Sequence, residues 1–208
     1  VADLREQEDL EEAIPMAQQA LALAQQLGDR YREMQSLVAV ARQRFWLNDP
    51  SGWEFARRAL ELARQLGDRR YEVSILVNLG QLCASSEPER SVEYLQAALP
   101  ISQELNDKLT ELEILNLIGV QLENSDDYYR RLKECHEKML RLSREIGHRP
   151  AEAQALMFCG QIQAIYLGDY EAGLAMLEES RRLWEGMTGQ VYPLLRIAQV
   201  QIVQGKYD

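Results

Sequence analysis

Cys135 and His136 come closest to a catalytic pair in this sequence, because a thiol and an imidazole stand next to each other. Cysteine nucleophiles are commonly activated by a histidine base. Neighbouring residues on a helix, however, point about 100° apart, so these two side chains are poorly placed to share a proton. We therefore expect Cys135 to pack between helices and His136 to lie at or near the surface.

The three cysteines, Cys83, Cys135 and Cys159, fit neither a metal site nor a disulfide framework. Their number is odd, and no two have the Cys-x-x-Cys spacing of zinc-binding or redox pairs. We expect buried free thiols. Free thiols favour a reducing compartment, and no secretory signal pattern is visible at the start, so we predict a cytoplasmic location.

Acidic residues are numerous, but their pairs do not resemble general acid–base sets. Glu11-Glu12, Asp126-Asp127 and Glu178-Glu179 are expected at solvated positions or in first helical turns, where the helix dipole favours them. The sequence has no phosphate-binding loop, dinucleotide-binding glycine turn, nucleophile elbow or calcium-loop spacing. We therefore predict no catalytic residues, no metal site and no cofactor.

Composition narrows the classes of partner. The net charge is −10, from 33 acidic and 23 basic residues, and no basic stripe is present, so we predict no direct binding to nucleic acid. No apolar run approaches the roughly 20 residues that cross a bilayer, so no membrane partner is expected. The hydrophobic share of 46% is that of a folded protein.

A repeat organises the whole chain. The segment from Leu21 to Asp29 recurs as the segment from Leu60 to Asp68, and more loosely three times after it. The marker of each copy is a glycine or asparagine, at Gly28, Gly67, Asn106, Gly147 and Gly186, so the steps are 39, 39, 41 and 39 residues. A period in this range predicts a stacked helical array.

The marker predicts a helix–stop–helix turn. Glycine or asparagine can take the left-handed conformation that ends a helix, and the aspartate after it can cap the next helix. Where His148 replaces the aspartate, we expect Pro150 to act as a first-turn residue. A second break inside each unit predicts two antiparallel helices per repeat. The first helices are predicted at 30–47, 69–85, 108–124, 150–167 and 189–204, and the second at 6–27, 51–66, 88–105, 126–146 and 169–186.

Small residues within these helices carry a family resemblance. First helices of tetratricopeptide repeats contain a small-residue pair, which is matched by Leu79-Gly80, Ile118-Gly119 and Cys159-Gly160. The turn between their helices is matched by Gly168-Asp-Tyr170 and Gly205-Lys-Tyr207. The small positions of their second helices are matched by Ala59, Ala98, Gly173 and Ser180. The chain therefore resembles tetratricopeptide repeat proteins along nearly its whole length. Each repeat is five to seven residues longer than the common unit of about 34 residues. The longer form is similar to the arrays of kinesin light chains, of Leu-Gly-Asn-type adaptors and of the sensor regions of large bacterial signalling and transcription regulators.

The resemblance implies an all-α, right-handed superhelical solenoid of antiparallel helix hairpins. We predict one array over 1–208, with repeat units at 1–28 (partial), 29–67, 68–106, 107–147, 148–186 and 187–208 (partial). The sequence opens inside a second-type helix and stops at the start of a hairpin turn, without the polar caps of terminal repeats. We therefore expect a piece of a longer solenoid.

The resemblance also implies where binding occurs, because first helices line the concave groove of tetratricopeptide solenoids. Gly80 and its equivalents in other repeats serve as the register mark. The residue after the mark, the third before it and the sixth before it then face the groove. The predicted groove residues are Gln35, Val38, Arg42, Ser74, Val77, Gln81, Glu113, Asn116, Gln154, Met157, Gln161, Tyr192 and Gln199.

The aromatic residues around the first intra-repeat turn allow two interpretations. Phe45, Trp46, Trp53 and Phe55 either fill the core of that hairpin or form a patch for a partner.

Three functions follow from these observations. The first is a non-catalytic scaffold whose groove binds a peptide or partner protein, possibly another domain of the same parent. The second is the ligand-sensing arm of a multidomain bacterial regulator of the STAND ATPase type, which binds a small effector. The third is a structural spacer. Long amide side chains such as Gln81 and Gln161 suit peptide backbone groups as well as the hydroxyls of a small ligand.

Overall fold

The structure of the chain is a computed structural model, and it describes residues 2–47, 49–84, 87–121, 128–187 and 191–205. Within these ranges the chain forms α-helices joined by turns, with no strand. The helices are α1 (Ala2–Leu27), α2 (Arg30–Trp46), α3 (Gly52–Leu66), α4 (Arg69–Cys83), α5 (Pro88–Glu104), α6 (Lys108–Gln121), α7 (Tyr128–Ile146), α8 (Arg149–Gln161), α9 (Tyr170–Leu183) and α10 (Val191–Val203). A π-helical turn, Ile162–Tyr166, continues α8.

The predicted helices are confirmed to within a few residues at each end. Some predicted features lie outside the described residues: the turn positions Asn48, Ser85, Ser86 and 124–127, the end of the Gly205-Lys-Tyr207 turn, and the side chains of Glu11, Glu12 and Trp46. Among the helices that are described, none combines the length and apolar character of a membrane span.

The chain divides into two compact units, Val1–Leu105 and Asn106–Asp208. In unit 1, α1 packs on α2, α2 on α3, α3 on α4 and α4 on α5. Unit 2 repeats this arrangement with α6 to α10. The predicted all-α fold of stacked helix hairpins is therefore confirmed within each unit.

The repeat markers form the predicted turns. Gly28, Gly67, Gly147 and Gly186 have φ between 67° and 79°, and Asn106 has φ 53°. The residue after the marker then caps the next helix: the carboxylate of Asp29 accepts the backbone N–H of Arg32 at 3.0 Å. The same bond is made by Asp68 and Asp107, and by Asp169 at the turn inside the fourth repeat. This turn is local, which is why the sequence reveals it.

His148 caps α8 itself, in addition to the first-turn Pro150 that the sequence predicts. Its Nδ1 accepts the backbone N–H of Ala151 at 3.3 Å, in the place where the other repeats use a carboxylate oxygen. An imidazole nitrogen can accept this bond only in its deprotonated form. The fourth repeat therefore keeps the cap geometry with a different acceptor.

A polar contact ties each first helix to the end of the second helix that follows it. The first residue of α2, Arg30, donates to Gln65 at the end of α3 at 2.6 Å. In the next repeat, Arg69 binds Glu104 at 2.7 Å. The third and fourth repeats use Lys108 with Glu145 and Arg149 with the carbonyl of Leu183. Exposed pairs of this kind contribute little energy each, but they recur at the same place in the period and fix its register.

The glycine of each matched pair leaves a hole that one side chain of the second helix fills. A Cβ on Gly80 would lie 2.7 Å from the Leu95 side chain, and one on Gly160 would lie 3.0 Å from that of Leu177. Both leucines are fully buried. The small residue therefore allows the two helices of a hairpin to approach closely.

His136 occupies this hole in the third repeat, so the prediction that it lies at the surface is wrong. A Cβ on Gly119 would lie 2.8 Å from its ring, and the side chain is 2% exposed. The ring packs on Phe158 with centroids 4.4 Å apart, and Nδ1 lies 2.9 Å from the Leu132 carbonyl, to which it donates. His136 takes the place of Leu95 and Leu177, and a bond within its own helix satisfies one ring nitrogen.

A close helix contact joins α9 to α8 and to the π-helical turn that continues α8. A Cβ on Gly173 would meet the Ala164 side chain at 2.5 Å and the Gly160 carbonyl at 2.6 Å. Ala164 lies in the π-helical turn, where the extra residue per turn shifts the backbone. The predicted small positions of the second helix thus serve close packing.

We predict that Gly173→Ala lowers the free energy of unfolding by about 2–3 kcal/mol, because the added methyl group meets backbone and a second methyl group. The matched control is Gly28→Ala, where a Cβ meets nothing within 4 Å and only the positive φ is strained. The control should cost about 1 kcal/mol. Urea denaturation measures both, and equal losses would contradict the packing account.

Burial lowers the pKa of His136 below the usual 6.5 of an imidazole, against the opposing effect of its bond to the Leu132 carbonyl. The unfolded chain therefore takes up a proton near pH 6.5, whereas the folded chain does so only at lower pH. The free energy of unfolding is therefore highest above about pH 6.5 and decreases as the pH falls below that value. We predict that His136→Leu flattens the decrease between about pH 7.5 and 5.5 in urea denaturation. An unchanged slope would show that His136 is not the group responsible.

Candidate functional site

The three cysteines are placed in the protein interior, where their thiols are shielded from solvent. Cys83, Cys135 and Cys159 are free and buried, as predicted from the sequence. Burial raises the pKa to about 11 for Cys83 and Cys135 and to about 12 for Cys159, so all three are protonated at neutral pH. The Cys135 thiol donates to the Leu115 carbonyl at 3.0 Å, while the neighbouring His136 is bonded to its own helix. Within the described residues, no group of three or more metal-ligating side chains is arranged around a common point.

A cavity of about 300 Å³ lies on the first-helix face of unit 1, between α2 and α4. It brings together three of the predicted groove residues, Val38, Arg42 and Gln81. Its other lining residues are Ala41, Phe45, Ala56, Ile75, Asn78, Leu79 and Leu82. Ala56 belongs to α3, so all three helices of the repeat junction contribute to the cavity. We call it the α2–α4 cavity.

The lining of the α2–α4 cavity is apolar with a few polar groups at its edge. Ala41, Ile75 and Leu79 are buried, whereas Arg42 and Gln81 are exposed. Arg42 has no ion-pair partner within the part of the chain that is described. An apolar depression with a small number of polar groups is the usual composition of a binding pocket.

A tyrosine group extends this face toward the start of both helices. The rings of Tyr31 and Tyr71 meet edge to face with centroids 5.5 Å apart, and Gln35 donates to the Tyr71 hydroxyl at 2.7 Å. Partial desolvation and the hydrogen bond to Tyr71 raise the pKa of Tyr31. Tyr31, Gln35, Val38 and Arg42 follow one another at helical spacing, so they form one stripe along α2.

The two tyrosines were not among the residues predicted from the sequence. Tyr31 could have been found, because it lies four residues before Gln35 on the same helix face. For Phe45 the structure supports the hairpin-core interpretation, because its ring centroid lies 4.8 Å from that of Trp53; Phe45 also lines the cavity. Its role depends on the packing of α3 against α2, which no pattern along one helix reveals.

The remaining predicted residues of unit 1 differ in exposure. Ser74 is exposed and its carbonyl accepts a bond from Asn78 at 2.8 Å. Val77 is 7% exposed, which leaves it little surface for a partner. The exposed part of the first-helix face of unit 1 is therefore formed mainly by the stripe on α2 and by the second half of α4.

In unit 2, three of the seven predicted residues bind each other or lie in the core. Gln154 donates to Asn116 at 2.7 Å across α6 and α8, and Met157 packs in a core cluster with Leu177 and Val200. Gln199 accepts a bond from Arg196 at 3.2 Å. The others are Glu113 and Tyr192, which are exposed, and Gln161, which is half-buried at the end of α8.

The α2–α4 cavity should bind a hydrophobic reporter dye such as anilinonaphthalene sulfonate, and a side chain that fills part of it should weaken that binding. We predict that Val38→Phe reduces dye fluorescence at least about fivefold, because the larger side chain occupies part of an apolar space of about 300 Å³. Val120→Phe is the matched control, since Val120 is exposed on α6 and does not line the cavity. Equal fluorescence from both variants would show that the dye binds elsewhere.

Comparison with known proteins gives the fold. No protein-family model matches the chain, and no curated protein sequence is similar to it. Among solved structures, it is similar to the crystal structure of BtubC (BKLC) from P. vanneervenii, with a TM-score of 0.73 and 17% sequence identity. The alignment covers 95% of this chain and 85% of that chain. The chain therefore has the fold of a helical repeat protein.

Proposed function

We propose that the chain is a non-catalytic interaction scaffold of the tetratricopeptide type, and that it binds a peptide segment of a partner protein on the first-helix face of unit 1. The observation that carries the proposal is the convergence of Val38, Arg42 and Gln81 on one apolar cavity. Nucleic acid is disfavoured as the partner, because a chain of net charge −10 repels it. Free thiols are compatible with a cytoplasmic location.

The dimensions of the face suit an extended peptide. The stripe from Tyr31 to Arg42 covers 11 residue steps of helix, which is about 16 Å at the rise of an α-helix. Five extended residues cover about the same length. One apolar side chain of the peptide enters the α2–α4 cavity, while the amide of Gln81 and the guanidinium of Arg42 bind its backbone carbonyls or a carboxylate.

A second candidate function rests on the volume of the cavity. A space of about 300 Å³ is at the lower end of the range for small-molecule sites, so the same cavity suits a small effector with one apolar group. The chain would then act as the sensing arm of a larger regulator. This function predicts a rise in melting temperature with a small ligand, by RT ln(1 + [L]/Kd), without any peptide partner.

We predict that a peptide selected from a displayed library against the whole chain loses affinity at least about tenfold with the double variant Arg42→Glu, Gln81→Ala. This corresponds to the loss of one interface contact of roughly 1.4 kcal/mol or more. Fluorescence anisotropy of the labelled peptide measures the dissociation constant.

The matched control is Arg57→Glu, which makes the same charge reversal at an exposed position of α3 that does not line the cavity. Its affinity should stay within about twofold of the original chain. If the control weakens binding as much as the double variant does, the effect is one of net charge and the assignment of the face is wrong. If no peptide is selected and a fragment screen raises the melting temperature, the sensing function replaces the scaffold function.

A further inference from the structure

Both histidines of the chain lie in unit 2, and both hold α8 in place. His136 fills the hole beside Gly119, whereas the corresponding holes of two other hairpins are filled by Leu95 and Leu177. His148 caps the start of α8, at the place where each of the three repeats before it uses an aspartate. The packing of α8 on α7 therefore depends on two imidazoles, at positions where the other repeats use leucine or aspartate.

His136 has to be uncharged in the folded structure. Its side chain is 2% exposed, and its ring centroid lies 4.4 Å from that of Phe158 on α8. Nδ1 donates to the Leu132 carbonyl at 2.9 Å. Burial lowers the pKa of His136, and no charged side chain within the described residues contributes to the shift. A second proton on the ring would place an unpaired positive charge between α7 and α8, which is unfavourable.

The groups around His136 supply no opposite charge. The elements packed on α7 are α6, α8 and the π-helical turn. Their ionisable residues, with those beside the ring on α7, are Lys108, Glu111, Glu113, Arg149, Glu152, Cys159, Tyr166, Lys133, Cys135 and Glu137. The charged residues of α6 and α8 lie at least six positions before Gly119 and Phe158, which contact the ring, and Lys133 pairs with Glu137. Burial raises the pKa of the Cys135 and Cys159 thiols to about 11 and about 12, so neither is charged.

His148 can cap α8 only while its Nδ1 is deprotonated. Nδ1 accepts the backbone N–H of Ala151 at 3.3 Å, whereas a protonated imidazole has donors on both nitrogens. The helix dipole also opposes a positive charge at the first turn. A carboxylic acid keeps an acceptor oxygen even when it is protonated, so an aspartate cap does not fail in this way.

The charged residues near His148 are engaged with other partners. They come from the end of α7, from α8 and from α9. Their contacts are those of Lys108 with Glu145, of Arg144 with Glu152 and Glu179, and of Arg149 with the Leu183 carbonyl.

We propose that mild acid separates α8 from α7 in unit 2 while unit 1 stays folded, because the two histidines that hold α8 are neutral in the folded form and take up protons in the open form. Histidine is the side chain whose charge ordinarily changes between about pH 5 and 8. Unit 1 contains no histidine. Proton uptake therefore shifts the opening equilibrium of unit 2 alone.

The opening changes one part of the first-helix surface and leaves another unchanged. The predicted groove residues Gln154, Met157 and Gln161 belong to α8, and Gln154 binds Asn116 of α6 in the folded form. The α2–α4 cavity belongs to unit 1. A ligand that needs α8 in place would dissociate in mild acid, whereas a ligand of the α2–α4 cavity would stay bound.

The test is pulsed labelling of the three buried cysteines in the whole chain at about pH 7.5 and about pH 5.5. Cys135 and Cys159 report on unit 2, and Cys83 reports on unit 1. Dithiodipyridine is a suitable reagent because it labels thiols in mild acid as well as at neutral pH. Mass spectrometry of the digested chain gives the rate at each site, and each rate is divided by that of the urea-unfolded chain at the same pH.

A histidine that is protonated only in the open form favours opening by up to about tenfold for each pH unit below 6.5. We therefore expect the corrected rates of Cys135 and Cys159 to rise at least about fivefold at the lower pH, while that of Cys83 changes less than about twofold.

Two variants assign the effect to the histidines. The double variant His136→Leu, His148→Asp introduces the residue types that other repeats use at these positions, and it should reduce the rise to less than about twofold. Asp68→His is the reverse exchange, because Asp68 caps α4, the helix that contains Cys83. In this variant the rate of Cys83 should become pH-dependent, by about threefold or more. Circular dichroism at pH 7.5 verifies that both variants are folded.

Three outcomes would overturn the proposal. An equal rise at Cys83 in the original chain would show that the opening is not confined to unit 2. A rise that persists in the double variant would assign it to other titrating groups. Rates that do not change between the two pH values would show that the folded form tolerates both protons.

Discussion

The contact between one small residue of each first helix and one side chain of the second helix sets the geometry of this chain. A hairpin of two amphipathic helices has no core of its own, so its stability depends on close packing within the pair and against its neighbours. Gly80 admits Leu95, and Gly119 admits His136. The capping residues and the polar ties between helix ends then hold the same register from one repeat to the next.

The candidate site follows from a variation in this contact. In the first hairpin the two positions are alanines, Ala41 and Ala56, and both line the α2–α4 cavity. Two small side chains fill less volume than a glycine with a leucine, so space remains between α2 and α4 that Phe45 and Ile75 do not occupy. An apolar space beside the exposed Arg42 has the composition of a binding pocket.

Sequence reasoning succeeded where the physics is local and failed where it depends on packing. The turn at Gly28 and Asp29 could be predicted because a left-handed residue and a helix cap act within a few residues of chain. The burial of His136 could not, because it depends on which residue of α7 faces Gly119. Val38 and Val77 hold the same register position, yet Val38 is half-buried beside the cavity and Val77 lies in the core. A shared position along the repeat therefore predicts the helix face but not the exposure of each member.

The most direct test of the binding face is a map of amide chemical-shift changes in the ¹⁵N-labelled chain as a selected peptide is added. The account predicts that the largest changes fall on α2 and α4, around Val38, Arg42 and Gln81, and that they decrease toward α3 and α5. Changes concentrated on the exposed residues of α3 and α5, such as Arg57, would contradict the account. Such a result would place the binding surface on the second helices.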